Sequence, residues 1–442
     1  MFHKNKSYPN QLLQQAKKSA FIKNVGILLT GSFFAQLIVF LLSPIYSRLY
    51  TPDDFGKFST IIAFVSIIAT GANLRYCNAM MLPKERNKAH QLFLIAVLSS
   101  GMVAFLTFLI LAIMTKDIIY RIFTMNISWG YFAYICIAIF VIAVGETTSF
   151  WLARNKQYVF MSSLKVFSSI GNAVIKLSCG FFGLALNGLL ASQFVGVLIT
   201  PLLFFRKTAK RIPPLLKGIS WRELSRTAKE YANYPFFMLP QTVLSTFSNQ
   251  MPFMLIAAFY SAGDAGQYFI AYSLIKLPVE MFVQSTQKVS LQKMSEISIL
   301  RGGELRMFLL KSTALLALIG SLPLLVLILF GPYLFSTVLG NDWEPAGQFS
   351  KILAPWFFMV LITPPSRVYY EIKMKQRLLA FFEIFSAVRI LFFIPIVFHL
   401  EIRDALILNS TWGVCVEFSL FLTALVLSKR NPLSKWPNAV NS

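Results

Sequence analysis

The sequence predicts an all-α polytopic membrane protein with about 12 transmembrane helices, because of its composition and its long apolar runs. Hydrophobic residues make up 56% of the 442 residues and charged residues only 13%, well below the roughly 25% charged content of soluble domains. About 20 consecutive apolar residues in a helix are enough to span a bilayer core of ~30 Å. Runs of this kind occur at residues 24–47, 57–80, 91–114, 129–152, 160–183, 184–205, 235–260, 268–291, 307–331, 349–370, 378–400 and 404–428.

The net charge of +23 indicates the orientation of the chain in the membrane and not a nucleic-acid partner. If the N-terminus lies inside, the cytoplasmic segments hold 28 Lys and Arg and the external loops hold five. Lys and Arg are enriched in the cytoplasmic loops of membrane proteins. We therefore expect both termini in the cytoplasm. The four cysteines and three histidines have no metal-ligand spacing, so we expect no metal and no cofactor.

A short motif occurs twice, half the chain apart. Residues 48–56 read RLYTPDDFG and residues 258–266 read AFYSAGDAG. An offset of 210 residues aligns three identical pairs, Tyr50 with Tyr260, Asp54 with Asp264 and Gly56 with Gly266. We predict that both copies are tight turns on the outer side. In these turns the aspartates bond nearby backbone or cap the next helix, and the glycines provide positive φ.

The repeat and the charge distribution together predict two lobes. Six predicted spans precede the basic segment 206–230 and six follow it. With an even number of spans, both halves enter the membrane in the same direction, which predicts a pseudo-two-fold axis along the membrane normal. We expect a six-helix lobe at residues 1–210, a basic cytoplasmic linker at 211–230 and a second six-helix lobe at 231–442. In this plan the transport path lies between the lobes.

The sequence SRLYTPDDFGKFS, residues 47–59, resembles the signature of the Wzx-type O-antigen and polysaccharide repeat-unit flippases. Their superfamily also includes multidrug exporters and the lipid II flippase. The resemblance implies a flippase of the bacterial inner membrane that moves undecaprenyl-pyrophosphate-linked oligosaccharide outward by alternating access. It further implies coupling to H⁺ or Na⁺, contact with membrane lipids, and a polysaccharide polymerase and a chain-length regulator as partners.

Several ionisable residues fall deep within the predicted spans, where each costs at least ~2.5–3.5 kcal/mol and requires a partner or a function. A pyrophosphate needs Arg or Lys donors, so the candidates for binding an anionic head group are Arg75, Lys176, Lys276 and Arg389. The candidates for ion coupling are the acids Glu146, Glu280 and Glu417. The alternative interpretation is a set of internal ion pairs. Lys276 and Glu280 are four residues apart on one helix face, and Arg389 and Glu417 could pair across the last hairpin.

Prolines and amides within the spans predict hinges or interrupted helices. The candidates are Pro44, Pro240, Asn249, Gln250, Pro252 and Pro278. The alternative is a kink that only improves packing. Arg367 and Glu383 lie close to predicted span ends, and we interpret them as residues that reach solvent.

Two other functions compete with the flippase interpretation. A small-molecule or multidrug exporter of the same superfamily would favour acids in its cavity, whereas the deep cations outnumber the deep acids. A membrane-embedded polysaccharide polymerase or glycosyltransferase would need a large outer loop that carries catalytic residues. The longer outer loops, 115–128 and 332–348, contain few such residues. We therefore expect a transporter and not an enzyme.

Overall fold

The structure is a computed structural model that describes residues 30–125, 127–208, 220–300, 304–397 and 400–429. These ranges are helical and contain no strand. The helices are α1 Thr30–Leu49, α2 Pro52–Ala72, α3 Tyr76–Ala79, α4 Arg86–Ile113, α5 Lys116–Phe123, α6 Trp129–Arg154, α7 Tyr158–Phe181, α8 Ala185–Thr208, α9 Trp221–Glu230, α10 Leu239–Phe259, α11 Ala262–Leu300, α12 Glu304–Leu339, α13 Glu344–Ile362, α14 Pro364–Ile372, α15 Gln376–Val397 and α16 Ile402–Lys429.

The predicted all-α membrane fold is confirmed. Within the described ranges, nine helical segments are long and apolar enough to cross a membrane. The other three predicted spans also coincide with long helices, but these helices carry polar or charged residues. They are α10 with Asn249 and Gln250, α11 with Lys276 and Glu280, and α15 with Glu383 and Arg389. The number of twelve crossings and the pseudo-two-fold axis stay predictions.

The chain divides into two compact units. The first comprises Met1–Leu49, Val65–Lys116 and Ile127–Val243, and the second comprises Tyr50–Phe64, Asp117–Asn126 and Leu244–Ser442. Helix α2 therefore begins in the second unit and ends in the first. Each predicted lobe, 1–210 and 231–442, is continuous in sequence, whereas each compact unit consists of three separate segments. The two lobes stay a prediction.

Each unit has its own buried apolar core. In the first unit, residues from α4, α6 and α8 pack around the α3 segment, and the buried members include Met80, Leu92, Phe93, Leu152 and Phe204. In the second unit, residues from α11, α12, α14, α15 and α16 pack together, and the buried members include Met294, Leu309, Tyr370, Phe382 and Leu420. These cores fix the helices that carry the candidate site residues.

Both copies of the repeated motif begin a helix with the same cap. Thr51 precedes α2, and its backbone N–H and hydroxyl donate to the Asp54 carboxylate at 3.0 and 2.8 Å. The Asp54 backbone N–H donates back to the Thr51 hydroxyl at 3.2 Å. Before α11, the Ser261 hydroxyl donates to Asp264 at 2.6 Å and accepts from its backbone N–H at 2.9 Å. The predicted bond to nearby backbone is confirmed for Asp54, whereas Asp264 bonds the Ser261 hydroxyl, and the N-cap residues themselves are Thr51 and Ser261.

The glycines of the motif have a different role from the predicted one. Gly56 and Gly266 lie inside α2 and α11, and neither has positive φ, so this prediction was wrong. A Cβ on Gly56 would lie 1.6 Å from the carbonyl oxygen of Ala262, and a Cβ on Gly266 would lie 1.8 Å from that of Pro52. Pro52 and Ala262 occupy equivalent positions in the two copies. The two turns therefore pack reciprocally against each other within the second unit, and glycine is required because the backbones approach so closely.

Two spanning helices are interrupted, each beside a charged residue. Between α2 and α3, Leu74 and Arg75 have φ of 48° and 59°, the left-handed region that non-glycine residues rarely adopt. Between α13 and α14, Thr363 is followed by Pro364 and Pro365. A proline supplies no backbone N–H to the preceding turn and so favours a break there.

The helices are continuous through most of the predicted hinge residues. These are Pro44 in α1, Asn249, Gln250 and Pro252 in α10, and Pro278 in α11. Pro240 is the second residue of α10, which directly follows a π-helical turn, Tyr234–Met238. Membrane helices tolerate internal prolines where neighbouring groups satisfy the freed carbonyl. Whether these residues act as hinges stays a prediction. Part of the predicted linker, residues 211–219, lies outside the described residues, as do both chain ends.

Candidate functional site

The first unit contains an ion cluster at the interruption of α2. Arg75 Nη1 lies 2.7 Å from Glu146 Oε1, and Asn73 Nδ2 donates to Glu146 Oε2 at 2.8 Å. Asn73 Oδ1 accepts from the backbone N–H of Arg75 at 2.9 Å, which holds the left-handed segment in place. The structure therefore brings together one predicted head-group cation and one predicted coupling acid. In this arrangement Glu146 neutralises Arg75.

The second predicted cation of this unit, Lys176, lies against an aromatic ring. Its Nζ is 4.9 Å from the ring centroid of Tyr46, within the range of a cation–π interaction. Tyr46 is itself buried. Lys176 thus belongs to the α1–α7 side of the unit and is stabilised by a ring.

In the second unit, the other two predicted cations contact a single aromatic cluster. Lys276 Nζ lies 5.3 Å from the ring centroid of Tyr272, and the Arg389 guanidinium lies 4.7 Å from that of Trp356. The rings of Tyr272 and Trp356 are 6.4 Å apart. Phe357 contacts both rings, at 5.3 and 5.5 Å. Two cations from α11 and α15 are therefore connected through neighbouring rings.

Arg389 is the most unusual of these cations. It is only 3% exposed, and its Nη2 donates to the backbone carbonyl of Ser248 at 3.1 Å. Its Nε and Nη1 have no hydrogen-bond partner among the described residues, and no described carboxylate forms an ion pair with it. Buried donors left unsatisfied cost about 1–3 kcal/mol each, and more for a charged group. No described carboxylate therefore neutralises this guanidinium.

The predicted pairing of Arg389 with Glu417 was wrong, because Glu417 bonds to another arginine. Arg367 Nη2 lies 2.6 Å from Glu417 Oε1, and Thr363 Oγ1 donates to Glu417 Oε2 at 2.7 Å. Arg367 Nη1 also contacts the Glu383 carboxylate. The break at Thr363 places its hydroxyl and the first turn of α14 beside α16.

Arg367 and Glu383 are site residues that our sequence interpretation missed. We interpreted both as residues that reach solvent, but Arg367 instead joins two carboxylates from α15 and α16. The one available signal is the Thr-Pro-Pro sequence at 363–365, which breaks the helix just before Arg367. Two carboxylates and one guanidinium leave this cluster with a formal charge of −1.

The third predicted acid, Glu280, pairs within its own helix. Lys276 Nζ lies 3.4 Å from Glu280 Oε1, and both side chains are partly exposed. The predicted pairing of these two residues is confirmed. Each of the three predicted coupling acids thus has a basic partner: Glu146 has Arg75, Glu280 has Lys276 and Glu417 has Arg367.

Solved structures of membrane transporters share the fold. A MOP superfamily transporter from Pyrococcus furiosus is 14% identical, with a TM-score of 0.59 over 92% of this chain and 96% of that chain. The lipid II flippase MurJ, in an inward closed conformation, is 14% identical, with a TM-score of 0.68 over 91% of each chain. An inward-facing multidrug resistance MATE family transporter is 12% identical, with a TM-score of 0.55 over 91% of this chain and 93% of that chain. Similarity at such identity shows a common fold.

A comparison of the sequence with family models identifies the family to which the chain belongs. No curated protein sequence matches the chain significantly. A family model described as "Polysaccharide biosynthesis protein" matches residues 45–348, more than half of the chain. The fold agrees with the one that the sequence predicts, that of the transporters of this superfamily. The chain therefore belongs to the polysaccharide biosynthesis protein family, as a multi-pass membrane protein with the fold of the MOP superfamily transporters.

Proposed function

We propose that the protein is a flippase that moves polyprenyl-pyrophosphate-linked oligosaccharide, an O-antigen or other polysaccharide repeat unit, from the cytoplasmic to the outer leaflet of a bacterial inner membrane. In this proposal both termini are cytoplasmic, and two six-helix lobes alternate access to a path between them. A polysaccharide polymerase and a chain-length regulator would act on the exported unit. The family match and the motif at residues 47–59 support this proposal.

The observation that carries the proposal is the buried guanidinium of Arg389. A pyrophosphate diester has about two negative charges, and arginine donates to phosphate oxygens in a bidentate geometry. Arg389 has two unused donors, and Lys276 lies on the same aromatic cluster. A phosphate at Arg389 would satisfy buried donors that the described residues leave unsatisfied. The rings of this cluster would also offer apolar faces to sugar rings.

The substrate also determines how the path must be built. Each sugar hydroxyl costs on the order of 2–7 kcal/mol if it is buried without a partner, so the saccharide requires water along its path. The polyprenyl tail can stay in lipid throughout. Because the cytoplasm is electrically negative, two negative charges that leave it across 100 mV gain roughly 4–5 kcal/mol.

For ion coupling, we propose the cluster of Arg367, Glu383 and Glu417. Its formal charge of −1 suits a proton or a Na⁺ ion, and Thr363 provides a further oxygen. In the other two predicted sites, one acid faces one base, so each is already neutral. Among the three acids predicted for coupling, we therefore favour Glu417 over Glu146 and Glu280.

A multidrug exporter is the second candidate, because MATE family transporters share the fold. An exporter of cationic drugs needs an acid that can contact the drug. Here all three deep acids contact Arg or Lys, whereas Arg389 forms no ion pair among the described residues. This charge distribution favours an anionic substrate.

The test is deletion of the gene in a strain that has an intact surface polysaccharide. We expect lipid-linked repeat units to accumulate on the cytoplasmic leaflet and the surface polymer to disappear. Expression of the wild-type protein should restore the polymer, and an Arg389→Ala protein that inserts normally should not. Unchanged surface polymer in a strain without a second carrier would rule out the flippase. Gain of drug sensitivity in place of polymer loss would support the exporter.

A further inference from the structure

Helix α9, Trp221–Glu230, has two faces of different character, and only one of them contacts the protein. Its inner face packs on α3 and α4 of the same unit through three polar contacts. Glu230 Oε1 lies 2.9 Å from Lys88 Nζ, the Thr227 hydroxyl donates to Gln91 Oε1, and the Ala228 carbonyl accepts from the Tyr76 hydroxyl at 3.1 Å. A capping box between Ser220 and Glu223 fixes its first turn.

The contacts of α9 also determine its depth. Lys88 and Gln91 lie in the first two turns of α4, which begins at Arg86 and continues as a membrane-spanning helix. A helix attached to these turns lies at the boundary of the apolar core, at the level of lipid head groups. This end of α4 carries the basic loop 84–88, which we expect to be cytoplasmic.

The outer face of α9 is cationic. Arg222, Arg226 and Lys229 are exposed, and their spacing of four and three residues places them along one side of the helix. None of the three forms an ion pair with any described residue. Trp221, which is 77% exposed, lies at the edge of the same side. The following turn adds Phe236 and Phe237, each 75% exposed. Basic residues with exposed aromatic residues are typical of helices that lie in a membrane interface.

No other part of this chain can neutralise the outer face. The segments outside the described residues, including 1–29, 209–219 and 430–442, contain no Asp or Glu. Of the two acids in α9 itself, Glu223 belongs to the capping box and Glu230 bonds to Lys88. Within this chain the three positive charges are therefore uncompensated, and a molecule with negative charge would complement them. At the level of the lipid head groups, anionic lipids have this charge.

We propose that Arg222, Arg226 and Lys229 form a binding site for the head groups of anionic phospholipids in the cytoplasmic leaflet, and that Trp221 anchors the helix at the interface. The site holds α9 against the membrane surface. It does not depend on which substrate the protein transports. Each Lys or Arg near an anionic surface strengthens binding roughly fivefold.

The experiment uses the full-length protein in nanodiscs of phosphatidylcholine, with or without phosphatidylglycerol. Native mass spectrometry counts retained phosphatidylglycerol, and thermal unfolding measures its stabilising effect. We expect Arg222→Gln with Arg226→Gln and Lys229→Gln to lower phosphatidylglycerol affinity on the order of a hundredfold. The matched control removes three exposed charges elsewhere, by Lys116→Gln, Lys288→Gln and Arg377→Gln. It should retain wild-type affinity.

Two results would overturn the proposal. Equal retention of phosphatidylglycerol by the wild type and the α9 variant would show that the face binds no anionic lipid. An equal loss in the control variant would show a general effect of net charge. High salt should weaken binding to the wild type and have little effect on the α9 variant, because exposed charges are screened. No substrate is present in this assay, so its outcome is independent of the flippase proposal.

Discussion

The buried arginines of this protein have two different kinds of partner. Arg75 and Arg367 lie beside carboxylates, so each charge is compensated where it lies. Arg389 is more deeply buried than either of them, and its partners are a backbone carbonyl and a ring. A buried charge without a counter-ion costs several kcal/mol, so the fold must support Arg389 at the expense of stability. Such a cost is expected where a residue binds a ligand of opposite charge.

The first prediction compares Arg389→Met with Arg75→Met. Arg389→Met should leave the melting temperature of the purified protein unchanged or raise it, because methionine replaces the apolar stem of arginine and has no charge to bury. Surface polymer should fall at least tenfold. Arg75→Met should instead lower the stability by about 1–3 kcal/mol, because Glu146 loses its cation. Thermal unfolding in detergent and staining of the surface polymer measure the two effects. Equal destabilisation by both variants would make Arg389 a structural residue.

The second prediction concerns the close contact between the two motif copies. Gly56→Ala should destabilise the protein by on the order of 1–3 kcal/mol or more, because the new Cβ would overlap the Ala262 carbonyl oxygen. Gly263→Ala is the matched control. Its Cβ would meet nothing closer than the Ser261 hydroxyl at 3.6 Å, so the melting temperature should hardly change. Similar melting temperatures for the two variants would contradict the observed approach.

At the level of elements, the third prediction separates capping from ligand binding in the repeated turns. Thr51→Ala and Ser261→Ala should each cost about 1 kcal/mol, because each removes a helix N-cap. Export per inserted protein molecule should stay at the wild-type level. Asp53→Ala is the control in the same turn, since Asp53 makes only an exposed ion pair with Lys57. Loss of export without loss of stability would assign these turns to the transport path.

The helices themselves could be predicted from the sequence because their signal is local. Long apolar runs place nearly every membrane helix, and the Ser/Thr-x-x-Asp pattern fixes the start of α2 and α11. Helix α9 carries a similar signal in its capping box, Ser220 with Glu223, but it lies in a segment that we predicted only as a basic linker. Patterns within one turn of helix are thus visible in the sequence.

Contacts between distant residues could not be predicted in the same way. Arg367, Glu383 and Glu417 meet only because α14, α15 and α16 pack together, and no spacing along the chain indicates which acid the arginine binds. The role of Gly56 likewise depends on a helix about half the chain away. Glycine serves for positive φ and for close approach alike, so the residue type alone cannot decide between these roles. We predicted the four cations only from their positions deep within the predicted spans. Their partners became known only from the structure.

At the level of the whole molecule, the proposed substrate makes transport depend on the membrane potential. Two negative charges that cross 100 mV shift the ratio between the leaflets by roughly a thousandfold. An ion bound at Arg367, Glu383 and Glu417 would add a second driving force. The membrane potential acts on the charges of the substrate, whereas the ion gradient acts at this cluster. A substitution in the cluster can therefore separate the two driving forces.

The last prediction is that Glu417→Gln removes ion coupling and keeps the response to potential. The amide leaves Arg367 and Glu383 as a neutral pair, so the cluster has no residual charge for a proton or Na⁺. In proteoliposomes with a fluorescent polyprenyl-pyrophosphate oligosaccharide, wild-type transport should respond to an imposed potential and to a gradient of H⁺ or Na⁺. The Glu417→Gln protein should respond only to the potential. Glu371→Gln, an exposed acid at the end of α14, is the matched control and should keep both responses. If Glu417→Gln keeps its response to the ion gradient, the coupling ion binds elsewhere, and the pairs at Glu146 and Glu280 become the next sites to test.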